Sequence, residues 1–345
     1  MSLLLSRLII LFFSLSEYVN QLQIDIINDY MPYSRYNTTN AFCDFVATHN
    51  RNYTSGAELT GAFQNFYDNM EKIISHNATE HGYEIGVTKF ADMNVDQFTL
   101  FKGHGCFQTK AKLSTHCTKF VSTSADLPDS VDWRDSGVVT PVKDQKQCGS
   151  CWSFSATGAT EGSWAQKTGE LVSLSEQQLI DCSTSYGNQG CNGGLMDSAF
   201  EYIIDNGLCS EAEIPYKASE SDTCFVCGKS KVSMGSCIDV TPRNQLHLKE
   251  AVSKGPVAVA IEADASIFQL YKKGVISSKN CGTNLDHGVL IVGYGTEPDG
   301  TMYWLVKNSW GTGWGDDGYV KIARSESEFD AGICGIAIQP SYISI

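Results

Sequence analysis

A chain of 345 residues has room for two or three structural units. With 42% hydrophobic and only 19% charged residues it can bury a large core, which excludes intrinsic disorder. Lys and Arg number 25 against 39 Asp and Glu, and the resulting formal charge of −14 excludes nucleic acid as a partner, because phosphate binding needs clustered positive charge.

The first element in chain order is an apolar run, Leu8 to Phe13, preceded by Arg7 and followed by Ser14-Leu15-Ser16. It is too short to span a bilayer, so we read residues 1–16 as a signal peptide; a partly buried N-terminal strand is the alternative. No other stretch approaches membrane-spanning length, so a soluble protein with no membrane partner is expected after processing. The 13 cysteines agree with export to an oxidising compartment, and their odd number leaves at least one unpaired or paired between chains.

Phe42, Phe45 and Val46 predict a short helix. Leu59, Ala62, Phe63, Phe66, Met70, Ile73 and Ile74 then recur at the three-and-four spacing of an amphipathic helix over 58–77, opened by Ser55-Gly56. Residues 103–126, poor in aromatics and rich in Lys, Thr and Ser, read as a linker closed by Leu127-Pro128. Beyond it Gly, Trp and Cys become dense. Helical patterns follow Trp152 and cover Ser175 to Ile180 and Leu195 to Ile204. From Val252 onward short apolar runs separated by Gly, Asp and Asn turns predict strands at 257–261, 288–293, 303–306 and 318–322. Helices first and strands later predict an α+β fold with two lobes and a cleft between them.

The most informative segment is Gln145 to Trp152, which contains Cys148-Gly149-Ser150-Cys151. A C-x-x-C can be a redox dithiol, half of a zinc site, or one structural and one reactive cysteine. Cys224 and Cys227 form a second such pair, but the two lie too far apart for a zinc ribbon, and no thioredoxin-like βαβ unit surrounds the first. The third reading needs a base and a group to orient it. His287, in Asp286-His287-Gly288, introduces one predicted strand, and Asn308, in Asn308-Ser309-Trp310-Gly311, follows another. Taken singly, His287 would be a structural histidine, Asn308 a turn residue and Gln145 a surface residue, and Trp152 and Trp314 read first as core aromatics.

These segments, in this order and at separations of 136 residues from Cys151 to His287 and 157 to Asn308, resemble the papain-like cysteine proteases, in particular their cathepsin L-like branch. The resemblance extends upstream. Glu58, Phe66, Asn69, Ile73 and Asn77 fall in register with the family's propeptide helix, with Ala62 where Arg is usual. Gly86, Phe90 and Asp92 match a second propeptide signature, with Thr88 replacing Asn. The resemblance implies a two-lobed fold, one lobe helical and one β-barrel-like, preceded by a helical inhibitory propeptide. The implied organisation is signal peptide 1–16, propeptide 17–126 and peptidase domain 127–345.

The resemblance also implies roles. Cys151 is the nucleophile, made acidic by a helix N-terminus and by imidazolium on His287. Asn308 orients the imidazole, Trp310 shields that bond, and the Gln145 amide with the Cys151 backbone N–H holds the oxyanion. Gly193 and Gly194 pair with extended substrate. Leu195, Met196, Ala260, Leu285 and Gly288 wall an apolar pocket for the second residue before the cut, with uncharged Gln339 at its base, so Leu or Phe is expected there over Arg. Disulfides are implied for Cys148 with Cys191, Cys182 with Cys224, and Cys281 with Cys334, leaving Cys209, Cys227 and Cys237 unassigned. Asn37, Asn52 and Asn77 begin glycosylation sequons.

A cysteine endopeptidase made as a zymogen and active in an acidic compartment is therefore expected, routed through the secretory pathway to a lysosome or lysosome-like vacuole, or secreted. Its expected partners are protein and peptide substrates, its own propeptide and cystatin-like inhibitors. A monomer without metal or cofactor is expected. An exopeptidase would need a large cleft insertion, for which Cys191 to Tyr216 leaves no room. A catalytically silent binding homologue is the rival from another class, and a dithiol oxidoreductase or zinc protein comes third.

Overall fold

The computed structural model describes residues 36–79, 82–102, 117–123, 126–264 and 266–345; the expected signal peptide lies outside them. The described residues divide into two compact units, one formed by those up to Lys72 with Ala91–Met93, the other by those of Ile73–Phe90 and Asn94–Ile345.

In the first unit, helix α1 (Tyr36–Thr48) packs against α2 (Gly56–Asn77) through aromatic rings. Phe42 meets Phe63 at 5.2 Å and Phe66 at 5.3 Å, both edge-on, and all three are buried. Ser55 opens α2 as the sequence suggests, its hydroxyl accepting from the Glu58 N–H while Glu58 reaches back to the Thr54 N–H. Ile74 departs from expectation: it continues the apolar spacing but is exposed. Arg51 pairs with Asp92 at 2.9 Å beside the Tyr53 hydroxyl, so Asp92 has a cation although position 62 is alanine.

The second unit opens with β1 (Tyr83–Ile85) and α3 (Val95–Lys102). Within the expected linker, Cys117–Lys119 forms strand β2, so that stretch is not wholly a linker. Then follow β3 (Val131–Asp132), α4 (Cys151–Thr168), α5 (Glu176–Cys182), α6 (Met196–Asn206), β4 (Ser236–Asp239), α7 (Gln245–Val252), β5 (Val257–Ile261), β6 (Tyr271–Ile276), β7 (His287–Thr296), β8 (Met302–Lys307), β9 (Tyr319–Ala323) and β10 (Ser341–Ser344). The strands make one sheet in the order β1-β6-β9-β8-β7-β5-β10-β4-β2, with β3 paired to β7. The β6–β9 and β2–β4 pairs are parallel and the rest antiparallel.

Helix α4 is covered by α5, α6 and the strands β5, β7 and β10. Being buried nearly all round, it carries small residues rather than a one-sided apolar stripe. At Gly158 a Cβ would lie 2.7 Å from Leu290 Cδ2, so glycine there is what lets helix and strand approach. The core joins Trp152, Leu179 and Phe200 from the helices to Ala258, Leu290 and Val292 from the sheet.

Candidate active site

The start of α4 and the start of β7 meet at Cys151 and His287. Ser150 caps α4 without a side-chain cap bond, so the positive end of the helix dipole falls at Cys151. The Gly288 N–H donates to the Cys151 sulfur at 3.1 Å. A Cβ on Gly288 would lie 3.2 Å from the Trp152 Cα, which explains glycine directly after the histidine. Cys151 is fully buried and its sulfur is held in a disulfide, so the thiol becomes available only on reduction.

His287 Nε2 and Asn308 Oδ1 are 2.8 Å apart, and the same oxygen accepts from the Ser309 N–H at 2.8 Å. An oxygen serving the backbone donor is an acceptor, so Nε2 carries the proton and Nδ1 is left with its lone pair. Nδ1 is buried with no hydrogen-bond partner among the described residues. Trp310 stacks on the imidazole at 4.7 Å and 27°. Burial lowers the His287 pKa to about 3, opposed by the Asn308 bond and assisted by the Lys102 charge. The ring is neutral in this state, so the thiolate–imidazolium pair expected from sequence is not the state of this precursor.

Gln145 is fully buried and fixed on several sides. Its Nε2 donates to the Cys148 carbonyl at 3.0 Å, its Oε1 accepts from Ser309 Oγ at 2.7 Å, and its carbonyl accepts from the Tyr216 hydroxyl at 2.6 Å. Sequence reasoning missed Ser309, which orients this amide, and Tyr216, which holds the Gln145 backbone carbonyl. Ser309 stood inside the asparagine motif; Tyr216 carried no local signal.

Of the other expected site residues, Leu195, Met196, Ala260 and Leu285 share one buried cluster. Gly193 has φ +116°, and a Cβ on Gly194 would lie 2.7 Å from the Trp152 ring, so both positions require glycine. Gln339 is half-buried, as is Asp197, whose pKa is raised mainly by burial. Disulfides join Cys148 to Cys191, Cys182 to Cys224 and Cys281 to Cys334. Cys209 pairs with Cys227 and Cys237 with Cys117, so both C-x-x-C pairs are divided among bridges. Asn52 is exposed, whereas the Asn77 amide bonds both the carbonyl and the N–H of Ile85. The Asn37 side chain lies outside the described residues.

Beneath the site lies a buried charge cluster. Lys143 bonds Glu161 at 2.9 Å and Glu176 at 2.6 Å, and Lys307 donates to the Thr140 carbonyl at 2.7 Å. Burial works against the Lys143 charge, but the two glutamates hold its pKa above the usual lysine range. Burial pushes Glu176 up to about 7 and Lys307 down to about 8.

Residues upstream of 127 also enter the site. Phe90 and Phe98 meet Trp310 edge-on at 5.6 Å and 5.4 Å. The Lys102 ammonium, 1% exposed, pairs with Asp286 at 2.5 Å, one residue before His287. A lone lysine ending a polar helix gave no hint of this. Residues 127–344 match the papain family cysteine protease model and residues 42–98 match the cathepsin propeptide inhibitor domain. The chain belongs to the papain family of cysteine proteases.

Among papain-family relatives it is 45% identical over 314 residues to cathepsin L of Sarcophaga peregrina, spanning 86% of this chain and 90% of that one. It is 48% identical over 293 residues to the probable cysteine protease RD21B of Arabidopsis thaliana, spanning 83% of this chain but 61% of that longer protein. The solved structure of digestive procathepsin L 3 from Tenebrio molitor larval midgut superposes with a TM-score of 0.81 at 42% identity, covering 89% of this chain and 99% of that one. This is a cathepsin L-like cysteine protease carrying its propeptide inhibitor domain. No helix of the described residues is long and apolar enough to cross a membrane.

Proposed function

We propose that the chain is a zymogen of an endopeptidase in which Cys151, His287, Asn308 and Gln145 carry the chemistry. After reduction the Cys151 thiol gives its proton to His287 Nδ1, the ring nitrogen left open, and the thiolate attacks the scissile carbonyl. The resulting oxyanion takes the Cys151 backbone N–H and the second proton of Gln145 Nε2, the first being held by Cys148. Collapse expels the amine, which takes the proton from His287 Nδ1, and leaves a thioester on Cys151. Water, deprotonated by His287, then releases the acid product. Asn308 and Trp310 hold the ring in register throughout, as a third triad member does.

The observation that carries this reading is the 2.8 Å bond between His287 Nε2 and Asn308 Oδ1, buried under Trp310, beside a sulfur that already accepts from Gly288. The apolar cluster of Leu195, Met196, Ala260 and Leu285, with uncharged Gln339, supports a preference for Leu or Phe at the second residue before the cut. Phe-Arg and Arg-Arg fluorogenic peptides separate that preference from an acidic pocket; equal rates would remove it. We place the peptidase at 127–345, its propeptide at 17–126 and its signal peptide at 1–16, with activation in an acidic compartment of the secretory pathway.

The test is intact mass after incubation at acid pH with a thiol reductant and an epoxide selective for activated thiols, comparing wild type with Cys151→Ser. One adduct on a shortened wild-type chain, absent from the variant, is expected. A folded, shortened chain that takes no adduct would make it a silent binding homologue.

A further inference from the structure

Strand β2 lies between the two family matches and is built into the peptidase sheet. It runs parallel to β4 with Cys117 opposite Cys237, Thr118 opposite Ile238 and Lys119 opposite Asp239, and a disulfide joins the first pair. The next residues are anchored as well. The Phe120 N–H donates to the Asp239 carbonyl at 2.9 Å, and its buried ring contacts His247 and lies under the Lys254 ammonium. Glu250 accepts from Ser122 Oγ at 2.6 Å, from the Thr123 N–H at 2.9 Å and from Thr123 Oγ1 at 2.7 Å. Behind the bridge, the Cys117 sulfur lies within 4.8 Å of carboxylate oxygens of Asp197 and Asp239. By contrast Asp126, Pro128, Asp129 and Ser130 are exposed.

We propose that residues 117–123 are a permanent strand of the peptidase rather than part of the inhibitor that leaves. Hydrolysis of a peptide bond near Leu127 does not touch the Cys117–Cys237 bond. Its opening requires two electrons from a thiol reductant and yields two thiols. Maturation therefore produces either a chain extended back through Cys117 or a two-chain enzyme with β2 attached by sulfur. The proposal rests on the zymogen reading above, and its test does not.

An endoproteinase that cuts on the N-terminal side of Asp reaches exposed Asp126 in the folded precursor whether or not the chain processes itself. Intact mass is then measured in denaturant, without and with reductant. The peptide carrying Cys117 is expected to stay on the peptidase until reductant is added, and Cys237 to react with iodoacetamide only after reduction. Because Cys151 is also held in a disulfide, the measurement is repeated in Cys151→Ser, where the peptide is again expected to stay, and adding Cys117→Ser to that variant is expected to release it without reductant. In Cys151→Ser, loss of the Cys117 peptide before reduction, or in either protein alkylation of Cys237 before reduction, overturns the proposal. A precursor that never shortens itself defeats the zymogen reading alone, because the nick still reports on the strand.

Discussion

Both ends of the sheet are capped by strands from upstream of residue 127, and the two caps are held by different chemistry. At one end β1 pairs with β6 over three residues, with a register shift after Glu84. The backbone then continues through a 2.7 Å bond from the Gly86 N–H to Leu270, a 2.7 Å bond from the Thr88 hydroxyl to the Gln269 carbonyl, and a 2.8 Å bond from the Gln269 amide to Phe90. Each such bond contributes about 1 kcal/mol net and exchanges with water on opening. At the other end β2 is joined to β4 by a disulfide that neither hydrolysis nor acid opens. The cap carrying Phe90 towards Trp310 is thus reversible and the other is not, which separates what inhibits from what stays.

The largest expected effect comes from breaking the reversible side where apolar contact carries it. Phe98 is fully buried and meets Trp310 edge-on, within reach of the His287 ring that Trp310 covers. Truncating such a side chain costs roughly 3–5 kcal/mol, so Phe98→Ala is expected to raise the open fraction by two decades or more. Measured as peptidase activity of reduced precursor at neutral pH, the variant should be active where wild type is silent. A Phe98→Ala precursor as silent as wild type would mean that the Trp310 contact does not inhibit.

A smaller effect follows from protons. His287 is buried neutral with its pKa lowered to about 3, against an ordinary 6.5. Between those values the closed precursor binds fewer protons than the opened chain, so its stability is complete above about pH 6.5 and declines as pH falls towards 3. Glu176, raised to about 7, and Asp286, raised by burial despite Lys102, act in the opposite sense and gain protons more readily when folded. Within the window His287 adds about 1.4 kcal/mol of loss per pH unit, or roughly 4 °C in a domain of this size. Thermal denaturation of wild type and His287→Gln from pH 7 to 4 should give a flatter slope for the variant; equal slopes would mean that His287 does not carry this loss.

Cys151, His287, Asn308 and Gln145 could be picked out as a candidate site because each sits in a short motif whose order and separation are specific, and the helix over 58–77 was legible because its period is long and regular. What escaped the sequence is non-local. β2 is three residues in a polar stretch, too short for any alternation, and its disulfide partner is 120 residues away. Lys102 reads as a surface charge until Asp286 is placed beside it. Arg51 reaches Asp92 across 41 residues of sequence, and Asn77 fits a sequon although its amide is already engaged with Ile85. Helix α4, the element that presents Cys151, shows little amphipathic pattern because neighbours cover it on nearly every side.

The smallest effects sharpen the comparison most directly, because losses of similar size at the two caps should have unequal consequences. Thr88→Val removes the hydroxyl that donates to the Gln269 carbonyl and accepts from the Phe90 N–H, leaving a buried backbone carbonyl short of a donor. At about 1 kcal/mol this should speed acid activation about fivefold. Glu250→Gln weakens a carboxylate that the Lys254 ammonium and the Ser122 and Thr123 donors hold at about 2 despite burial. It should loosen residues 122–123, seen as faster cutting before Asp126, yet leave the activation rate within the scatter of wild type, since the pairing of β2 with β4 still holds the strand. If Glu250→Gln accelerates activation as Thr88→Val does, both caps belong to the inhibitor and the distinction between them fails.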